Sequence, residues 1–131
     1  MYLIVVGGGR VSKQLIKLAK ENKHSVAVIE KQKDRARSIM AEFDVRVFCA
    51  DIAQGKILEE AEVNRADAII ATTKDDSVNL MAMVLGKQHQ VSTLVAMLQE
   101  AEHKPMFEKL GVKVLAHPER IVAQQLMDFV A

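Results

Sequence analysis

With 131 residues, half of them apolar and 27% charged, the chain has the size and balance of one globular domain and leaves little room for a second. Its formal charge of +1 gives no broad electrostatic case for a nucleic acid or an anionic membrane as partner. The longest apolar runs, Tyr2 to Val6 and Val78 to Leu85, fall far short of a membrane span. Arg10 and Lys13 follow a glycine cluster rather than precede an apolar stretch, so no signal peptide is read. The single cysteine, Cys49, excludes an internal disulfide; its place in an apolar run predicts plain core packing, and the cytosol is the default compartment.

Apolar runs and helical stripes alternate along the chain. Tyr2–Val6 reads as a first strand, followed by a helix with Val11, Leu15, Leu18 and Ala19 on one face. Ser25–Ile29 is a second strand, and Ala36, Ile39, Met40 and Phe43 mark a second helix. Arg46–Ala50 is a third strand, trailed by a short helix at Ile57, Leu58 and Ala61. Ala68–Ala71 precedes a long helix, and Thr93–Met97 precedes a segment opened by Pro105 and carrying Met106, Phe107 and Leu110. Val112–Leu115 is the sixth strand; a last helix starts at Pro118 and is expected to bury Val122, Leu126 and Phe129. The runs are rich in Val, Ile and Leu and barely alternate, as in parallel strands buried on both faces. The expected fold is α/β: a Rossmann-type, doubly wound, parallel six-stranded sheet in the order 3-2-1-4-5-6, with a ligand crevice between the first and fourth strands. Residues 1–131 form one domain in this reading, without linker, repeat or low-complexity segment. Seven of the eight positions from Val78 to Leu85 are apolar, which predicts a second burial of that helix, against another subunit or under the C-terminal helix.

The chemistry centres on Gly7-Gly8-Gly9-Arg10-Val11-Ser12, between the first strand and the first helix. In a dinucleotide fingerprint the first glycine allows the tight turn, the second the approach of backbone to phosphates, and the third the close packing of helix on strand. Gly7 and Gly9 fill the first two places; Ser12 stands in the third and is expected to push the helix slightly off the strand. N–H groups after Gly9 would face an anion at a helix N-terminus. Glu30 ends the second strand about 20 residues beyond the glycines, where a carboxylate accepts from ribose hydroxyls and repels a 2′-phosphate. Lys31, Lys33 and Arg35 partly offset that repulsion. Asp51 and Ile52 follow the third strand, at the adenine edge. Thr73 and Asp76 have capping-box spacing after the fourth strand, whereas Thr72 and Asn79 are the better candidates to face a ligand.

No catalytic or metal-binding set emerges. His24, His89 and His103 fall in or beside connections, His117 precedes Pro118, and no pair has metal-ligand spacing on one helix. Neither a nucleophile elbow nor a P-loop is present. A dehydrogenase would need an acid or base beside its nicotinamide and a substrate pocket, usually supplied by another domain.

Gly7-Gly8-Gly9-Arg10-Val11, Val28-Ile29-Glu30, Ala50-Asp51 and Ala66-Asp67-Ala68-Ile69-Ile70-Ala71-Thr72-Thr73, in register from the first strand to the last helix, resemble the N-terminal lobe of RCK domains, the TrkA-N or KtrA-like regulators of potassium conductance. The resemblance implies a cytosolic, non-enzymatic regulatory subunit of a membrane-embedded potassium channel or transporter, located in the cytoplasm or held at the inner face of the membrane through that partner. It implies NAD(H), AMP, ADP or ATP in the crevice, and a homodimer or a larger ring. Carried over by motif, Gly7, Gly8, Gly9, Arg10 and Val11 would hold the phosphates and Glu30, with Lys31 beside it, the ribose. Asp51 and Ile52 would flank the adenine, and Thr72, Thr73 and Asn79 would line the crevice. The chain departs from the family at Ser12 and at Met97, where an arginine is common, and the smaller C-terminal lobe is absent. That leaves a stand-alone subunit, an excised domain or half of a two-chain system. Two other readings stand beside this one: an NAD(H)-dependent oxidoreductase or the cofactor-binding half of one, and an interaction scaffold with an empty site.

Overall fold

The structure, a computed structural model, describes residues 1–54 and 56–131. Its strands are Tyr2–Val6 (β1), Ser25–Glu30 (β2), Arg46–Cys49 (β3), Ala68–Ala71 (β4), Thr93–Leu98 (β5) and Lys113–Ala116 (β6). They form one parallel sheet in the order β3-β2-β1-β4-β5-β6. Val6 stands level with Ile29 on one side and with Ala71 on the other, so the crossover reversal falls between β1 and β4. The helices are Arg10–Glu21 (α1), Lys33–Glu42 (α2), Ile57–Glu60 (α3), Asp76–Gln88 (α4), Lys104–Glu108 (α5) and Pro118–Val130 (α6). Each strand observed lies within one residue of its sequence expectation.

β1 shows why the apolar runs do not alternate. Leu3 and Val5 enter one core layer with Ile16 and Ala19 of α1 and Ile39 of α2. Ile4 and Val6 enter the opposite layer with Ile69, Ala82, Met83, Leu98 and Phe107. Side chains alternate in direction, but helices cover both faces, so every position must be apolar. Gly86 lets α4 lie close on the sheet: a Cβ there would stand 2.7 Å from Leu94 Cδ2 and 2.9 Å from Ile69 Cδ1.

Three expectations about burial are corrected. On α1 the buried face is Ser12, Ile16 and Ala19, while Val11 and Leu18 are half exposed. Periodicity alone favoured the larger apolar side chains, whereas the buried stripe of α1 runs through the small Ser12. Cys49 is exposed, because β3 is the edge strand and Cys49 is its last residue. No residue of α6 is buried, and Phe129 is 88% exposed. α6 leaves the end of β6 without packing back on the sheet, where Leu115 stays 48% exposed and Val95 only half-buried. On α4, Met81 is exposed, whereas Val78, Leu80, Val84 and Leu85 are half-buried, so most of its apolar girth is shared with its own domain.

Candidate functional site

The β1–α1 turn is built on one obligatory glycine. Gly7 has φ 117° and donates to Ile29 O at 2.9 Å; a Cβ on it would lie 2.7 Å from Thr72 Oγ1. Such a backbone conformation admits little but glycine. Gly8 packs on Glu30, where a Cβ would meet Cγ and Oε1 at 3.0 Å. Gly9 is the N-cap of α1, with no side-chain cap and no acidic residue in the first turn, and a Cβ there would meet nothing within 4 Å. The first N–H groups of α1 therefore open onto free space with the positive end of the helix dipole behind them, a ready place for an anion. Ser12 is fully buried beneath this turn and its hydroxyl has no hydrogen-bond partner among the described residues.

Glu30 is 6% exposed and structurally engaged. Its Oε1 accepts from Gly8 N–H at 2.8 Å and its Oε2 from Gln32 N–H at 2.7 Å. Each carboxylate oxygen carries a second acceptor position, so this locked geometry leaves capacity for two hydroxyl donors. Asp51 accepts from Ala53 N–H at 2.9 Å and pairs with Lys31 Nζ at 3.5 Å. That backbone N–H, reinforced by Lys31 against partial burial, holds its carboxyl below the usual carboxylate range.

The β4–α4 loop is arranged differently from its sequence reading. Asp75, not Thr73, caps α4, its Oδ1 accepting from Ser77 N–H at 2.9 Å and Val78 N–H at 3.3 Å. Asp76 turns instead to the end of β5, accepting from Gln99 N–H at 2.8 Å, Glu100 N–H at 3.0 Å and His103 Nδ1 at 2.8 Å. Burial acts to raise the Asp76 pKa, but these three partners outweigh it and hold the carboxyl low; the same bond to Asp76 raises His103. Asn79 is fully buried and lies behind the crevice, correcting its expected place on the wall. Its Oδ1 accepts from the Thr73 hydroxyl at 2.6 Å, and its Nδ2 donates to Thr73 O at 3.0 Å and Met97 O at 2.9 Å. A polar side chain one helical turn into α4 thus clamps the ends of β4 and β5.

These elements enclose an open crevice of about 1220 Å³ at the carboxyl ends of the strands. Gly7, Gly8, Gly9, Arg10 and Val11 line it together with Glu30, Lys31, Asp51 and Ile52, and Thr72 and Thr73 close against Gly7. Of the sequence candidates only Asn79 is off its wall. Sequence reasoning missed Lys13, Ser38, Gln99 and the start of α6 at Pro118, Glu119 and Val122. Gln99 had a usable signal, since it follows directly on a strand's carboxyl end; the α6 residues had none. Among the described residues no cluster of three His, Cys, Asp or Glu could hold a metal ion, and no helix is long and apolar enough to cross a membrane.

Comparison with known proteins places this geometry. A Trk system potassium uptake protein TrkA homolog from Methanothermobacter thermautotrophicus is 32% identical over 126 residues, which cover 96% of this chain and 58% of that relative. Other curated relatives are matched over 28% of their length, so the chain spans between 28% and 58% of these proteins. Among solved structures, the TrkA-N domain of inner membrane protein ybaL from Escherichia coli shares the fold with a TM-score of 0.86 at 18% identity, over 99% of this chain and 96% of that one. The Kef CTD of Shewanella denitrificans, solved in an AMP-bound form, shares it with a TM-score of 0.80 at 18% identity, over 99% of this chain and 80% of that one. The family model described as TrkA-N domain matches residues 3–118, from the first strand through the glycine turn to the start of α6. This parallel sheet, with a glycine turn at its switch point, belongs to the TrkA-N domain family.

Proposed function

We propose that residues 1–131 are the nucleotide-sensing domain of a cytoplasmic regulator of a potassium channel or transporter, and that the ligand is an adenine nucleotide: AMP, ADP, ATP or NAD(H). The observation that carries this reading is the uncapped N-terminus of α1 at Gly9, facing the inward-locked carboxylate of Glu30 across one crevice. The N–H groups after Gly9, with Gly7, Gly8, Arg10 and Val11, bind the phosphates. Glu30 accepts from the ribose hydroxyls, with Lys31 at the rim; Asp51 and Ile52 border the adenine; Thr72 and Thr73 line the crevice beside Gly7. The name of the curated relative and the AMP in a structure of the same fold support the reading.

Regulation follows from the position of α6. Pro118, Glu119 and Val122 form part of the crevice wall, while Leu126, Met127, Phe129 and Val130 stay exposed further along the same helix. His117, with φ 51°, is the left-handed joint that sets its direction. Nucleotides that differ beyond the ribose touch the base of α6 differently, and its apolar length pairs with a second copy of the chain. Only differential affinity for two arrangements transmits a signal; equal binding to both shifts nothing.

A thermal-shift panel with AMP, ADP, ATP, NAD, NADH and NADPH tests the reading. A ligand at 100 times its Kd adds roughly 2.7 kcal/mol and raises the midpoint by several degrees. A shift with adenine nucleotides but not with NADPH is the expected result; no shift with any of them overturns the proposal.

A further inference from the structure

The formal charge of +1 is an average over two unlike faces. Residues 10–44, which supply α1 and α2 to one layer, hold nine Lys and Arg against five Asp and Glu, a net +4. Residues 53–112, which supply α3, α4 and α5 to the other layer, hold six against nine, a net −3. The rest of the chain balances to zero. Charge is therefore separated across the sheet, and the field of such a domain turns its α1–α2 face toward a negative surface.

Internal pairing consumes little of this positive face. Among the described residues Lys13 pairs with Glu42 at 2.6 Å and Lys31 with Asp51 at 3.5 Å, while Arg10 and Arg35 line the crevice. Lys17, Lys20, Lys23, Lys33 and Arg37 stand outside the crevice, exposed, with no carboxylate partner among the described residues. α1 and α2 lie side by side, Lys13 Nζ reaching Ser38 Oγ at 2.6 Å and Lys20 Nζ reaching Asp44 O at 3.3 Å, so these cations share one broad helical surface. Leu18 and Met40 are exposed on the same two helices. Cations on flexible stems around isolated apolar side chains match the boundary between lipid headgroups and acyl chains. A nucleic-acid backbone offers the apolar pair no place, and neither helix carries an aromatic side chain to stack on a base.

We propose that the α1–α2 face docks directly on a bilayer surface of anionic phospholipid headgroups, so that the domain holds the membrane by its own surface as well as through a transport partner. The choice of a lipid surface rests on the membrane-side role proposed above. With that face down the strands lie along the membrane, and the crevice at their carboxyl ends opens sideways, still within reach of nucleotide.

Co-sedimentation with phosphatidylcholine vesicles, with and without phosphatidylglycerol, tests the proposal in the absence of nucleotide. The wild type sediments with the anionic vesicles only, and less so as salt is raised. Each cation at an anionic surface is worth roughly fivefold in partitioning, so Lys17→Gln with Arg37→Gln weakens binding about 25-fold, and Lys17→Glu with Arg37→Glu weakens it further. Lys104→Glu with Lys109→Glu, at α5 on the opposite layer, leaves binding at physiological ionic strength unchanged; circular dichroism verifies that every variant is folded. No binding to anionic vesicles at physiological ionic strength, equal binding to neutral ones, or equal loss in the two pairs of Glu variants overturns the proposal. Tighter binding of duplex DNA than of anionic vesicles also overturns it and makes a nucleic acid the partner. The nucleotide reading stands or falls separately, on the thermal-shift panel.

Discussion

Glu30→Ala separates the structural duty of one carboxylate from the ligand-binding duty proposed for it. In the wild type its two oxygens accept from Gly8 N–H at 2.8 Å and Gln32 N–H at 2.7 Å. Removing it strands the Gly8 donor, which is buried, whereas Gln32 is exposed and water replaces the lost partner. An orphaned buried donor costs about 1–3 kcal/mol. For a domain of this size each kcal/mol lowers the melting midpoint by roughly 3–5 °C, so the free variant melts about 3–15 °C below the wild type. On the proposed assignment the same substitution also removes both ribose acceptors, and even a tenfold loss of affinity cuts the stabilisation at a fixed, formerly 100-fold excess of ligand from about 2.7 to about 1.4 kcal/mol. Differential scanning fluorimetry with and without AMP reads both effects. Glu30→Gln is the control, since its amide oxygen still accepts one of the two N–H groups and one ribose hydroxyl, and it falls between the extremes. A Glu30→Ala protein that melts lower but keeps its full AMP-induced shift refutes the ribose assignment. One that melts like the wild type refutes the structural argument about Gly8.

Ser12→Ala is expected to raise stability by about 1 kcal/mol, because it removes a hydroxyl that is buried without a partner and keeps the packing of α1 on β1; chemical denaturation measures it, and a loss of stability would show that the hydroxyl is in fact bonded. His103→Gln tests a pH effect. Asp76 raises the His103 pKa above its ordinary 6.5, so the charged pair stabilises fully below that value and the contribution is lost as pH climbs through the raised folded value. At the acid end Asp76, held below 3.8, keeps its charge until the pH drops through its lowered value. The melting difference between wild type and His103→Gln is therefore larger at about pH 5.5 than at about pH 8.5; the opposite trend would refute the pairing. Leu126→Glu combined with Phe129→Glu reduces the solution mass to that of a monomer in light scattering, since both side chains are exposed on α6. Met81→Glu on α4 leaves the mass unchanged, its neighbours being half covered by their own domain, and a monomeric Met81→Glu protein would move the interface to α4.

Much of this protein was determined by local sequence. Six Val- and Ile-rich runs of strand length, separated by helix-period stripes, specify a sheet buried on both faces, and the connections then leave one strand order, the one observed. Gly7 was legible because a left-handed turn between strand and helix admits little else, and Glu30, Asp51 and Thr72 because they stand at strand ends, where a doubly wound sheet opens. Tertiary structure decided what depends on surfaces meeting. The face that α1 turns to the core was decided by its packing, so small Ser12 was buried and larger Val11 and Leu18 were not. Cys49 was exposed by β3 lying at the edge, a fact about strand order rather than about residue type. Asp76 and Asn79 left their expected roles because β5, some 20 residues away in sequence, brought backbone donors and acceptors within 3 Å of them. Hydrophobic period tells which side of an element is apolar; only the assembled chain determines whether that side meets a surface, and α6 meets none that buries it.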